Sequence, residues 1–167
     1  MLEALEICIR EAEEIDLTAM EWDGEYTRFR RMYRQAMDEV REGKRVIFVA
    51  EAGNLIVGQL FVHFDSAWRK AFFGQHTGYL HSFRVKTDFR NRGVGRNLVA
   101  KAETVLKESG FHRAVISVAQ TNEAALRLYQ SLGYEVFRED PGRWSFKDHH
   151  NQVHHISEPA YILRKSL

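Results

Sequence analysis

Residues 79–105 switch pattern twice, and that switch constrains the fold more than any other feature of the chain. Residues 79–85 (Tyr-Leu-His-Ser-Phe-Arg-Val) form an apolar and aromatic run of strand length. Arg90-Asn91-Arg92-Gly93-Val94-Gly95 is a basic, glycine-rich turn, and Leu98, Val99, Ala102, Val105 and Leu106 then recur at the spacing of one helix face. A strand feeding such a turn at a helix N-terminus is a physical recipe for holding phosphate. The first N–H groups of the helix point outward unbonded, and the helix dipole adds about half a positive charge there. Gly93 and Gly95 carry no side chain to block the approach, and Arg90, Arg92 and Arg96 add cationic donors. Neither the dinucleotide fingerprint G-x-G-x-x-G nor the P-loop G-x-x-x-x-G-K-[ST] is present, so nucleotide binding of those two kinds is not expected.

The turn reads R-x-x-G-x-G. A second block follows, Asn122-Glu123-Ala124-Ala125-Leu126-Arg127-Leu128-Tyr129-Gln130-Ser131-Leu132-Gly133-Tyr134. In this order the two blocks resemble the GCN5-related N-acetyltransferases (GNAT), whose acetyl-CoA site uses [QR]-x-x-G-x-[GA] and whose downstream element reads N-x-x-A-x-x-x-Y-x-x-x-G-F/Y. The likeness runs from Val46 to Phe137, its two ends by general layout only. It implies one α/β domain over residues 1–167, with a mixed, twisted central sheet of about seven strands and helices on both faces. Two central parallel strands would splay to admit the pantetheine arm of acetyl-CoA, the cosubstrate. Main-chain groups of Phe83, Arg84 and Val85 would meet the pantetheine and the forming oxyanion. Arg90, Asn91, Arg92, Gly93, Val94, Gly95 and Arg96 would hold the pyrophosphate, with Asn122 contacting the cofactor near Tyr129. The resemblance gives Tyr129 the role of acid for the departing thiolate. Where relatives often carry a glutamate on the central strand, this chain has His81-Ser82. His81 is therefore the candidate base, and a water chain ending on a carboxylate is the competing account.

The chemistry implied is attack of an amine on a thioester, with no acyl-enzyme. An ammonium of pKa ~10.4 must lose its proton, which costs roughly 4 kcal/mol near neutral pH. The oxyanion needs an N–H donor, and a thiol of pKa ~8.5 is already a fair leaving group, so an acid helps less than a base. The expected function is transfer of acetyl from acetyl-CoA to a primary amine of a small molecule or peptide. The rival is a non-catalytic acyl-CoA sensor or interaction module.

The chain has 167 residues, enough for one substantial core. A net charge of +1 argues against nucleic acid or an anionic membrane as partner. Cys8 is the single cysteine, which rules out an intrachain disulfide, and residues 1–10 lack the apolar run of a signal peptide, so a cytoplasmic location is expected. His149, His150, His154 and His155 lack the cysteine or carboxylate company of a zinc site, and no metal is expected. The acceptor is not encoded in any local pattern, and a homodimer through the last strands stays open.

In chain order, residues 5–9 read as a strand, 13–20 as a short helix and 22–24 as a break. Residues 25–42 read as a helix stopped by Gly43; in the resembled family the opening helices wall the acceptor pocket, and that resemblance makes Trp22, Glu25 and Tyr26 candidate acceptor contacts. Residues 45–51 and 55–64 form a hairpin, with Gly58 marking a bulge or close contact, and 65–78 a long connection carrying Trp68, Phe72, Phe73 and His76. Arg113–Ala119 should lie parallel to the strand starting at Tyr79. A helix from Asn122 to Gly133, a strand over 134–138, an arm over 144–147 and one last strand over 153–163, edged or bulged at Pro159, complete the chain.

Overall fold

The computed structural model describes residues 5–64 and 74–167. Trp68, Phe72 and Phe73, expected in the long connection, lie outside the described residues. The elements are β1 (Ile7–Glu11), α1 (Asp16–Ala19), α2 (Arg30–Arg41), β2 (Arg45–Ala52), β3 (Leu55–His63), β4 (Thr77–Val85), α3 (Val94–Glu108), β5 (Arg113–Ala119), α4 (Glu123–Ser131), β6 (Glu135–Asp140), β7 (Arg143–Lys147), β8 (Val153–Ser157) and β9 (Ala160–Ser166). Seven strands form one mixed sheet in the order β1-β2-β3-β4-β5-β9-β6, and β7 and β8 form a separate ribbon. Among the described residues only β4 and β5 pair in parallel, as the strand–helix–strand pattern requires; the other pairs are antiparallel.

The sheet is covered on both faces because its central strands are apolar on both. In β2, Val46, Phe48 and Ala50 pack with α3 and α4, while Ile47 and Val49 pack with α1 and α2. Leu98, Val99, Ala102 and Leu106 of α3 are fully buried on the first face; Tyr33, Ala36 and Met37 of α2 are buried on the second.

Two expectations from the sequence need correcting. The helix read over 25–42 begins at Arg30, after a 3-10 turn at Thr27–Phe29. Its start is set by the approach of the preceding loop, not by propensity. The single last strand read over 153–163 is two strands in two sheets, β8 in the ribbon and β9 between β5 and β6. Pro159 sits at the crossing, where it has no N–H to offer a ladder. The ribbon lies against the start of α2, with Phe146 and Phe29 rings 4.9 Å apart.

Candidate active site

β4 and β5 pair only from Thr77/Arg113 to Leu80/Ile116. Beyond that point β4 continues along β3, and β5 along β9. The two parallel strands part, and the β5-facing edge of residues 81–85 has no ladder partner. A bulge accompanies the parting: Phe61 pairs with His81 and Gln59 with Arg84, so Ser82 and Phe83 together stand opposite Leu60. Ser82 takes a left-handed conformation, φ 52°. The buried Gln59 side chain donates to the Ser82 carbonyl at 3.1 Å and to the Tyr33 hydroxyl at 3.4 Å. Gly58 in the apolar run 55–62, read as a bulge or close contact, is a close approach, since a Cβ there would lie 3.2 Å from the Arg84 carbonyl; the polar Gln59 beside it was a second signal that sequence reasoning passed over. The extra residue shifts the alternation, so Leu80, Phe83 and Val85 face α3 and α4, whereas His81 and Arg84 face α2.

On the first face, the N-terminus of α3 sits directly on β4. A Cβ built on Gly95 would lie 2.9 Å from Cζ of Phe83 and 3.4 Å from Cδ2 of Leu128. Gly93 has φ 81°, and a Cβ there would meet nothing within 4 Å. No side chain caps the helix, and its first rung runs from the Asn97 N–H to the Gly93 carbonyl, so the N–H groups of Val94, Gly95 and Arg96 lie outside the ladder. Arg92 and Arg96 are exposed beside them. These free donors, two exposed cations and an open approach fit a pyrophosphate. Arg90 differs from its neighbours: its Nε donates to the Val85 carbonyl at 2.9 Å, which ties the turn to the end of β4. Asn91 (φ 58°) shapes the turn through its backbone. Asn122 caps α4 by accepting the Ala125 N–H at 3.2 Å. Tyr129 is 4% exposed, with its ring 5.9 Å from that of Phe83. Burial, helped by Tyr79, pushes its hydroxyl well above the ordinary phenol value, so Tyr129 is neutral.

On the second face, a cavity of about 170 Å³ opens between α2 and the bulge, lined by Tyr33, Ala36, Glu39, Arg45, His81 and Ser82 among others. Arg45 joins two of these. Its Nε and Nη2 donate to Glu39 Oε2 at 2.8 and 2.6 Å, and its Nη1 meets His81 Nε2 at 2.5 Å. A guanidinium has donors only, so His81 Nε2 accepts; the ring proton then sits on Nδ1, 3.0 Å from Ser82 Oγ. Burial raises the Glu39 carboxyl, but Arg45 and His63 outweigh it and hold it below its ordinary value. Glu39 and Arg45 were not singled out by sequence, because nothing local links a helix residue to a strand residue six positions later.

Arg84, expected at the cofactor through its main chain, sends its side chain to this second face. There it lies 3.3 Å from the ring centroid of Tyr26 and 5.3 Å from that of Trp22, and its Nη2 donates to the Tyr33 hydroxyl. Of the three early residues considered as acceptor contacts, Trp22 and Tyr26 reach this cage and Glu25 is exposed. Glu21 is neutralised by a two-bond pairing with Arg30 at 2.8 and 2.9 Å. Two of the four ribbon histidines have local hydrogen-bond partners: His154 Nε2 meets Asp148 Oδ2 at 2.7 Å, and His155 Nδ1 meets Ser145 Oγ at 2.8 Å. Among the described residues, no three His, Cys, Asp or Glu side chains group to hold a metal.

The profile of the acetyltransferase (GNAT) family matches residues 6–134. Human N-alpha-acetyltransferase 30 is 32% identical over 90 residues, 54% of this chain and 24% of that protein. The L-amino acid N-acyltransferase MnaT of Escherichia coli K12 is 31% identical over 104 residues, 59% of this chain and 58% of that protein. The chain thus spans between a quarter and three fifths of these two relatives. Among solved structures, the ribosomal-protein-alanine N-acetyltransferase of Brucella melitensis superposes with a TM-score of 0.72 at 20% identity, covering 96% of this chain and 99% of that one. The PaiA N-acetyltransferase of Thermoplasma acidophilum, in complex with coenzyme A, gives a TM-score of 0.72 at 16% identity, with coverage of 98% and 100%.

Proposed function

Because the chain belongs to the acetyltransferase (GNAT) family, we propose that it moves an acetyl group from acetyl-CoA to a primary amine by direct attack, with both substrates bound at once. The observation that carries the reading is the parting of β4 and β5 under the uncapped N-terminus of α3. It leaves a slot with unpaired main chain on one wall and free N–H donors at its mouth. The names of the relatives describe an N-alpha-acetyltransferase, an L-amino acid acyltransferase and a ribosomal-protein-alanine acetyltransferase, so an α-amine is the acceptor class proposed here.

In this reading the thioester supplies an activated acyl carbon and a thiol leaving group. The β5-facing N–H groups of Phe83–Val85 hold the oxyanion. The N–H groups of Val94, Gly95 and Arg96, with Arg92 and Arg96, hold the pyrophosphate, and Arg90 and Asn91 set the turn. Asn122 keeps α4 in place beneath Tyr129. Tyr129, held neutral, donates to the departing sulfur. Its raised value keeps the proton on oxygen until charge develops on sulfur, which limits its contribution to the lower part of the general-acid range, about 10²-fold. His81 serves as base only once Arg45 releases Nε2. The competing route carries the proton from the amine through water in the cavity toward Glu39, whose Oε2 Arg45 likewise engages and whose Oε1 accepts from Gln35 at 3.3 Å.

The test is thermal unfolding with acetyl-CoA, with ATP and NAD as controls. At 100 times its dissociation constant a ligand adds about 2.7 kcal/mol, roughly 5–10 °C for this size. A shift with acetyl-CoA alone, lost on replacing Gly93 with a bulky residue, is expected; no shift at saturation would sink the reading. Tyr129→Phe then separates the enzyme from a sensor. An enzyme loses about 10²-fold in turnover with the acetyl-CoA shift retained, whereas a sensor has no turnover to lose.

A further inference from the structure

Arg84 is half-buried and has no carboxylate partner among the described residues. The comparably placed arginines do: Arg10 pairs with Asp16 and Glu51, and Arg45 with Glu39. Of the five donors on Arg84, one reaches the Tyr33 hydroxyl, and the buried Nε has no partner among the described residues. A buried cation without an anion is costly. Aromatic faces of Tyr26, Trp22 and Tyr33 offset part of that cost but supply no hydrogen-bond acceptor for Nε.

A second donor in the same cage is also left without a partner. Trp22 is 9% exposed, and its indole Nε1–H has no acceptor among the described residues. Its placement is strained: Trp22, Asp23 and Gly24 have φ of 48°, 55° and 102° in succession. A bulky residue in the left-handed region costs about 1–2 kcal/mol, and such strain collects where function needs it. Lys86 adds further positive charge, with Nζ 5.5 Å from the Trp22 ring. The cage therefore offers two unused buried donors and a surplus of positive charge. That surplus repels an ammonium and attracts a carboxylate, which is an acceptor of the kind each donor lacks.

Position gives this meaning. Arg84 lies on the acceptor face of β4, two residues beyond the bulge at Ser82, while Phe83 between them faces the slot. Two strand residues span about 7 Å, so an anion held by Arg84 stands close to an amine poised over the slot. We propose that Arg84, with Trp22, anchors the carboxylate of the acceptor, and that the acceptor is a free α-amino acid. A peptide N-terminus has an uncharged amide where this carboxylate would be, and a lysine ε-amine is remote from any carboxylate. The proposal rests on the acetyl-transfer reading above.

The test uses the full chain, acetyl-CoA, and thiol release confirmed by product mass, with the standard L-amino acids and their carboxamides as paired acceptors. The amide has the less basic amine, so a preference for the free acid runs against intrinsic reactivity. We expect kcat/KM at least 10-fold higher for the free acid of the best pair. Arg84→Gln should bring that ratio close to one, and Arg84→Lys should keep part of it. Trp22→Phe, which keeps the ring and removes the donor, should lower the ratio several-fold and guards against a misfolded Arg84 variant. Amides or peptide N-termini acetylated as well as free acids would overturn the proposal and leave acetyl transfer standing, as would a preference that survives both Arg84→Gln and Trp22→Phe. Failure of every acceptor pair in a protein that acetyl-CoA stabilises overturns it too. Absence of that stabilisation overturns the acetyl-transfer reading itself.

Discussion

Replacing Gly95 with alanine tests how α3 is seated on the slot. The added Cβ would stand 2.9 Å from Cζ of Phe83, nearer than such atoms approach, so ring or helix must move. Overpacking of this kind costs about 1–3 kcal/mol. Alanine in place of glycine inside a helix returns about 1 kcal/mol. The net expectation is a loss of about 1 kcal/mol, and 1 kcal/mol is about 2–4 °C in Tm for a chain of this length. The sharper statement is the coupling. In a Phe83→Leu background the ring is gone, so Gly95→Ala should become neutral or stabilising. A double-mutant cycle by urea unfolding should return a coupling of about 1–2 kcal/mol between the two positions. Equal effects of Gly95→Ala in both backgrounds would refute the close seating of the helix on β4. Acetyl-CoA thermal shifts on the same proteins extend the test, because a displaced Phe83 moves the slot wall and should weaken binding in Gly95→Ala alone.

Two further predictions follow from conformation and charge. Ser82→Val places a β-branched residue at φ 52° and should cost about 2 kcal/mol in chemical unfolding, whereas Ser82→Gly relieves strain as it loses the His81 contact and should stay within about 0.5 kcal/mol of the parent. Asp148 is held down to about 2, first by His154 and then by the Gln152 and His150 N–H groups. A depressed carboxyl stabilises the fold above its ordinary value near ~3.9 and loses that contribution as pH falls toward the folded value. The ribbon tip should therefore loosen between about pH 4 and pH 2, read by the fluorescence of Trp144, whose ring lies 5.3 Å from that of Phe146. Asp148→Asn should remove this acid transition.

What was legible in the sequence was what depends on neighbours in the chain. The strand, glycine turn and helix around Gly93 are local, as is the cap Asn122 gives α4, and the parallel pairing of β4 with β5 follows from the helix between them. What was not legible depended on contacts across the chain. Helical spacing continues back from Arg30 to Glu25, but the loop before α2 turns at Trp22–Gly24 to carry two rings to Arg84 and enters the helix through a 3-10 turn. The last two strands are separated only by Glu158 and Pro159, and their partners assign one to the ribbon and the other to the sheet.

The parity of β4 matters most for function. Strict alternation from Leu80 would set Arg84 beside it and turn Phe83 to the opposite face. One bulged residue reverses both assignments, so the same short strand presents Phe83 and Val85 to the slot and His81 and Arg84 to the α2 cavity. The two faces then carry different kinds of information. The slot face is made from one continuous stretch through Gly95 with α4 beside it, which is why a motif can describe it. The α2 face gathers Trp22 and Tyr26 from a loop, Tyr33 and Glu39 from a helix, Arg45 from β2, Gln59 from β3 and Arg84 from β4. No spacing rule connects these positions. In the reading proposed above, changes at any one of them would alter the acceptor without disturbing the glycine turn, so two local blocks suggest a cofactor while an acceptor has to be argued from the assembled cage.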